Sequence, residues 1–192
     1  MFIVFEGISG TNKTYYANWL NNYLNDLHID SILTKEPFNT FLFEDNLKFL
    51  NKDPITEFLL YAADRRDHLK HVIIPYISSS FVLISIHYSL FSVAYQGYGR
   101  GVPLDLINNI HDQILDGIYP DLTIYIDGIP FVNKAGYIES FYGMGFLNKV
   151  LYGYRKEINK IGGQNTLILN SNEDKEKNCD KIKDVVLSFL HF

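Results

Sequence analysis

The chain has 192 residues, 47% hydrophobic and 20% charged, with a formal net charge of −5. That is an ordinary globular balance, most simply one domain over residues 1–192, and it carries no general basic field for broad nucleic-acid binding. One cysteine, Cys179, excludes a disulfide within the chain and a cysteine metal cage, and points to a reducing, cytoplasmic setting. No apolar run approaches the roughly 20 residues of a membrane span. Residues 2–5 are too short for the apolar centre of a secretion signal, and a cleaved leader would remove the glycines that follow.

The first element is a strand, Phe2-Ile3-Val4-Phe5. It leads into Gly7-Ile8-Ser9-Gly10-Thr11-Asn12-Lys13-Thr14 and then a helix with Ala17, Leu20, Leu24 and Leu27 on one face. A strand, a tight loop and a helix N-terminus in that order make a phosphate cradle. Backbone N–H groups left unpaired at the helix start converge on an anion, and the lysine adds a full positive charge. Gly7, Ser9, Gly10, Thr11, Asn12 and Lys13 are therefore candidates for phosphate binding. Lys13 is expected to reach the outer phosphates and Thr14 to hold Mg²⁺. The usual glycine before the lysine is replaced by Asn12, which enters the left-handed region more readily than other non-glycine residues, so a strained but usable loop is expected.

Ser31-Ile32-Leu33-Thr34 reads as a strand ending at Lys35-Glu36-Pro37, and residues 40–52 are weakly helical. Asp53-Pro54 opens a helix to about Ile77, with Leu59, Ala62 and Ala63 at helical spacing and Tyr61 and Arg65 sharing a face. The apolar run Phe81–Ile86 has the character of a central strand covered on both faces. Tyr95–Gly101 reads as a glycine-rich loop, followed by a helix over 104–115, a strand over 122–127, a helix over 139–158, a strand over 166–169 and a closing helix with Ile182, Val185, Val186 and Phe189. Five strands alternating with helices predict an α/β fold, a three-layer parallel five-stranded sheet flanked by helices. His68 and His71, three apart on a helix, are expected to be surface histidines, since no third metal ligand accompanies them. The charge run Glu173–Lys177 reads as a solvated helix start.

Five stretches give the chain a resemblance to the thymidylate kinase family of P-loop nucleoside monophosphate kinases. They are Phe5-Glu6-Gly7-Ile8, Thr34-Lys35-Glu36-Pro37, Leu60-Tyr61-Ala62-Ala63-Asp64-Arg65, Ala94-Tyr95-Gln96-Gly97 with Gly99-Arg100-Gly101, and Pro120-Asp121-Leu122-Thr123. The resemblance implies transfer of the ATP γ-phosphoryl to thymidine monophosphate with Mg²⁺, in a homodimer. It places Tyr61 on the thymine ring and Arg65 on the base edge, with Glu36, Ser92 and Gln96 lining the same pocket. It also assigns Lys35 and His87 to the acceptor phosphate and a short lid to about 132–140.

The departures from the family pattern concentrate on charge. Ile86 and His87 stand where the family has an Asp-Arg pair, Ser9 where a loop carboxylate is common, and Lys35 where an arginine fork is usual. The lid sequence Val132–Tyr137 contains Lys134 and no arginine. Losing such groups predicts slow turnover with binding less affected. Two other readings follow from the same residues: a nucleotide-binding protein without catalysis, serving as a sensor or interaction module, and a kinase for another nucleoside or nucleoside monophosphate.

Overall fold

The computed structural model describes residues 1–39, 52–129 and 137–190, and of 137–141 and 164 the backbone alone. Five strands, β1 (Phe2–Glu6), β2 (Ser31–Lys35), β3 (Val82–Ile86), β4 (Leu122–Asp127) and β5 (Thr166–Asn170), pair in parallel in the order β2-β3-β1-β4-β5. The central strand is thus β1 and not β3. Both are buried along their whole length, because each has two neighbours and helices on both faces, and hydrophobicity alone does not rank them.

Helices α1 (Lys13–Asp26) and α7 (Lys175–Phe189) cover one face. There Tyr16, Leu20, Leu24, Ile182 and Val186 pack on Ile3, Phe5, Ile84 and Ile124, and Cys179 is part of the same core. The other face carries α2 (Pro54–His68), which runs through a π-type turn (Leu69–Ile73) into α3 (Ile74–Ser78). It also carries α4 (Ser89–Ser92), α5 (Leu104–Ile114) and α6 (Tyr137–Ile161). Three layers result, and the C-terminal strand ends open onto the crevice where ligands of such sheets bind.

Local signals account for most boundaries. Asp53 caps α2 by accepting from the Thr56 N–H at 3.0 Å, with Pro54 in the first turn. Asp174 caps α7 by accepting from the N–H groups of Glu176 and Lys177, so the charge run at 173–177 is a helix start, as expected. Leu27 caps α1 and is exposed instead of joining its apolar face.

The glycine-rich stretch at 95–101 is not a loop down to Gly99. Helix α4 continues as a π-type segment over Val93–Gly99. The glycines serve close packing and not turning: a Cβ at Gly97 would lie 2.6 Å from Leu104, and one at Gly99 would lie 2.5 Å from Phe146. The buried face of α2 is formed by Phe58, Tyr61, Ala62, Arg65 and His68, whereas Leu59 and Ala63 are exposed. A buried arginine and histidine had shifted the apparent apolar stripe by one residue. The weak helix expected over 40–52 falls outside the described residues for 40–51. So do lid residues 132–136 and the side chains of the rest of that expected lid.

Candidate active site

The phosphate loop leaves β1 through Gly7, at φ 138°, where a Cβ would lie 2.6 Å from the Ile126 carbonyl oxygen. Asn12 sits at φ 67°, ψ 19°, in the left-handed conformation expected of it, and α1 starts at the next residue. The first helical bond runs from the Tyr16 N–H to the Asn12 carbonyl at 3.1 Å, so the N–H groups of the first turn are turned toward the loop and not into the helix ladder. The Lys13 ammonium is buried and donates to the Ile8 carbonyl at 2.6 Å, and the Thr11 hydroxyl donates to the same oxygen at 2.8 Å. Thr14 is exposed.

A cavity of about 370 Å³ opens here, lined by Ser9, Gly10 and Asn12–Tyr15 on one side and by Ile86 and His87 on the other. Oriented N–H groups, a lysine and a hydroxyl at the helix start suit a nucleotide's phosphate chain. Among the described residues no cluster of three His, Cys, Asp or Glu could hold a metal unaided.

Glu6, at the end of β1 and fully buried, organises the wall opposite the loop. Its carboxylate accepts from the Tyr88 N–H at 2.9 Å, the Tyr154 hydroxyl at 3.0 Å and His87 Nδ1 at 3.0 Å. His87 itself adopts φ 68°. That conformation is held by its N–H bonding the Phe5 carbonyl at 3.0 Å and by the Ser85 hydroxyl bonding the His87 carbonyl at 2.8 Å. Burial, reinforced by nearby Lys13, lowers the His87 pKa despite Glu6. The neutral ring, with its proton on Nδ1 toward Glu6, turns a lone pair outward at Nε2, and only the protonated ring donates to a phosphate. Lys35, exposed at the end of β2, pairs in register with Ile86, which brings both candidates for the acceptor phosphate to one sheet edge.

Arg65, reaching in from α2, is fully buried, and all three nitrogens of its guanidinium meet protein acceptors. Nε bonds Glu36 Oε2 at 2.8 Å, Nη1 bonds Ser92 Oγ and His111 Nε2 at 3.0 Å each, and Nη2 bonds the Tyr88 carbonyl at 2.9 Å and lies 2.8 Å from Glu36 Oε2 as an ion pair. Contact with a base edge, as the resemblance implies for Arg65, requires it to release one of these. Glu36 is buried, which alone would raise its pKa, but Arg65 and His68 hold its carboxyl below the usual value. His68 is not a surface residue: it is fully buried, contacts Glu36 and Thr34 and stacks on Phe38. His71 is exposed, as expected. Gln96 donates to Glu57 at 3.2 Å, and its own side-chain oxygen has no hydrogen-bond partner among the described residues.

His111, which the sequence did not mark, closes this network from α5. Burial, with Arg65 beside it, pushes its imidazole down to about 3, well below the usual histidine range. Because arginine only donates, Nε2 is the acceptor and Nδ1 carries the proton. The unfolded chain takes up a proton below about pH 6.5, while the folded chain does so only near 3. Stability is therefore lost as pH falls through that window, by up to about 1.4 kcal/mol per unit, and His87 adds in the same direction. Urea titrations between pH 6.5 and 4.5 are expected to show the slope, and His111→Gln, which keeps an acceptor for Arg65, to reduce it. An unchanged slope in that variant would assign the dependence to other groups.

The structure thus gathers Lys13, Thr14 and His87 around one cavity and Glu36, Arg65 and Ser92 in a second cluster, while Tyr61 packs on Phe91, which also touches His87. Glu6 and Tyr154 were also missed. Glu6 stood in the sequence only as part of the stretch Phe5-Glu6-Gly7-Ile8 with no role in the site, and nothing local tied it to Tyr154, 148 residues away.

A parallel sheet in this order, with the phosphate loop after its central strand, is the P-loop nucleoside monophosphate kinase fold. The family model for thymidylate kinase matches residues 5–182. The chain is 35% identical over 201 residues to a thymidylate kinase of Ehrlichia ruminantium strain Gardel, covering 99% of this chain and 97% of the relative. It is 34% identical over 197 residues to that of Clostridium novyi strain NT, covering 95% and 96%. A crystal structure of thymidylate kinase from Ehrlichia chaffeensis is similar with a TM-score of 0.77 at 29% identity, covering 100% of this chain and 98% of that one. The chain belongs to the thymidylate kinase family. Among the described residues no helix is long and apolar enough to cross a membrane.

Proposed function

We propose that this protein transfers the γ-phosphoryl of MgATP to thymidine monophosphate, at a reduced rate, as a cytoplasmic homodimer. The observation that carries the reading is the single cavity in which the Lys13–Thr14 cradle faces Ile86 and His87. Lys13 holds the donor phosphates, and Lys35 with His87 receives the acceptor phosphate. Tyr61 offers its ring to the base, and Arg65 keeps Glu36 and Ser92 in place around it, with Gln96 one turn beyond. Thr14 would hold Mg²⁺, which would supply Lewis acidity to the transfer. Ile55 and Leu59, exposed four residues apart on α2, support self-association.

Phosphoryl transfer depends on positioning and on neutralising charge. Here Ile86 contributes no charge, and His87 contributes one only once an acceptor phosphate draws a proton onto it. A slow enzyme follows. A second reading, nucleotide binding without turnover, draws on the same two residues. A coupled ADP-release assay is expected to show stimulation by thymidine monophosphate. The pair Ile86→Asp with His87→Arg is expected to raise kcat by about 10- to 100-fold, part of what a full arginine is worth. Turnover in the restored variant alone would favour the second reading, and no stimulation in either would defeat the proposal.

A further inference from the structure

Tyr61, whose ring the proposed function gives to the base, is already packed against another ring in this structure. Phe91, on α4, sets its ring edge-on to Tyr61 with centroids 5.2 Å apart and stacks on Tyr95 at 4.3 Å with planes 23° apart. It also lies 4.8 Å from His87. Phe91 is 7% exposed, Tyr61 5% and Tyr95 2%, while Arg65, Ser92 and Gln96 are fully enclosed. With Tyr61 this enclosed, a base that packs on its ring must displace a neighbour, and Phe91 is a neighbouring ring of the base's own size.

We infer that Phe91 is a specificity-determining residue of the acceptor site: its ring keeps the place of a pyrimidine between Tyr61 and Tyr95, and the acceptor nucleotide binds by displacing it. The inference rests on the proposed function's reading of Tyr61 and Arg65 as the acceptor pocket. A phenyl ring and a pyrimidine are both flat six-membered rings, so with the displaced ring still beside it the vacated seat fits a pyrimidine and is short for a bicyclic purine, a limit that losing the ring removes. Because the open form is a fraction of the population, apparent affinity is reduced by that fraction. Phe91 also packs on His87, which lines the phosphate cavity, so its displacement changes the surroundings of His87 and couples base entry to phosphate capture through one side chain.

The test measures thymidine and guanosine monophosphate binding by calorimetry, with turnover and the KM for ATP alongside, in the parent, Phe91→Ala and Phe91→Leu. Removing the ring's stacking is expected to tighten thymidine monophosphate binding by about tenfold in Phe91→Ala. Phe91→Leu, which keeps most of the packing volume, is expected to fall between the two. The KM for ATP should stay within twofold, and guanosine monophosphate should bind measurably to Phe91→Ala alone. A merely structural Phe91 would lower the melting temperature without tightening any ligand. Equal or weaker thymidine monophosphate binding in a folded variant overturns the inference while leaving the acceptor pocket intact. If neither parent nor variants bind any nucleoside monophosphate, the pocket itself was misread and the inference falls with it.

Discussion

Replacing Lys13 by alanine is expected to lower kcat by about 10³-fold while leaving thymidine monophosphate affinity within about threefold. The charge is the one full positive group that the loop offers to the donor phosphates, and preorganised donors of this kind are worth about 10² to 10³ each in rate. The proposed acceptor residues Glu36, Tyr61, Arg65 and Ser92 lie on other elements, and Lys13 donates to the Ile8 carbonyl within its own loop. Losing that bond removes about 1 kcal/mol, a shift of a few degrees in melting temperature. The measurement is single-turnover ADP formation beside calorimetric binding of each nucleotide. A variant that retains more than a tenth of the parent rate would show that Lys13 is not the donor-phosphate group.

The phosphate loop was legible from sequence because its geometry is local. Glycine spacing, the residue before the lysine and the apolar strand ahead of it determine backbone angles within a dozen residues, and Asn12 takes the left-handed angle that its side chain tolerates. The parallel sheet was legible for a related reason, since short apolar runs alternating with helical patterns leave few topologies. What failed was whatever depended on distant packing. Gly97 and Gly99 read as turn residues, yet they are small because Leu104 and Phe146 press on them. His68 read as solvated, yet Glu36 and Thr34 give its two nitrogens partners inside the core.

The site's electrostatics were legible in type and not in arrangement. The loss of the Asp-Arg pair stood in the sequence, but the consequence for His87 depends on Glu6. That carboxylate takes three donors, one each from β3's end, α4's start and α6, and so decides which His87 nitrogen carries the proton. Phe91 escaped notice for the opposite reason. An aromatic residue at helical spacing from Tyr95 reads as ordinary core, and only the centroid distances to Tyr61 and His87 place it in the acceptor pocket.

Replacing Arg65 by methionine is expected to destabilise the fold by about 3–5 kcal/mol, the usual range for breaking a buried ion pair from one side. Methionine matches much of the volume, so the loss is chiefly electrostatic: Glu36 would remain buried opposite an apolar side chain, with His68 alone to balance it. For a chain of this length that corresponds to a melting temperature lower by about 10 °C. Arg65→Lys should recover little, because one ammonium cannot reach Glu36, Ser92, His111 and the Tyr88 carbonyl together. Adding Glu36→Gln to Arg65→Met removes the orphaned charge and is expected to restore part of the stability. Calorimetric melting of the three variants at pH 7 tests this, and a loss under 1 kcal/mol in Arg65→Met would mean that the network tolerates an empty centre. The restored double variant would separate two roles for Arg65. Stability regained without thymidine monophosphate affinity would show that the guanidinium positions the acceptor pocket beyond merely holding the core together.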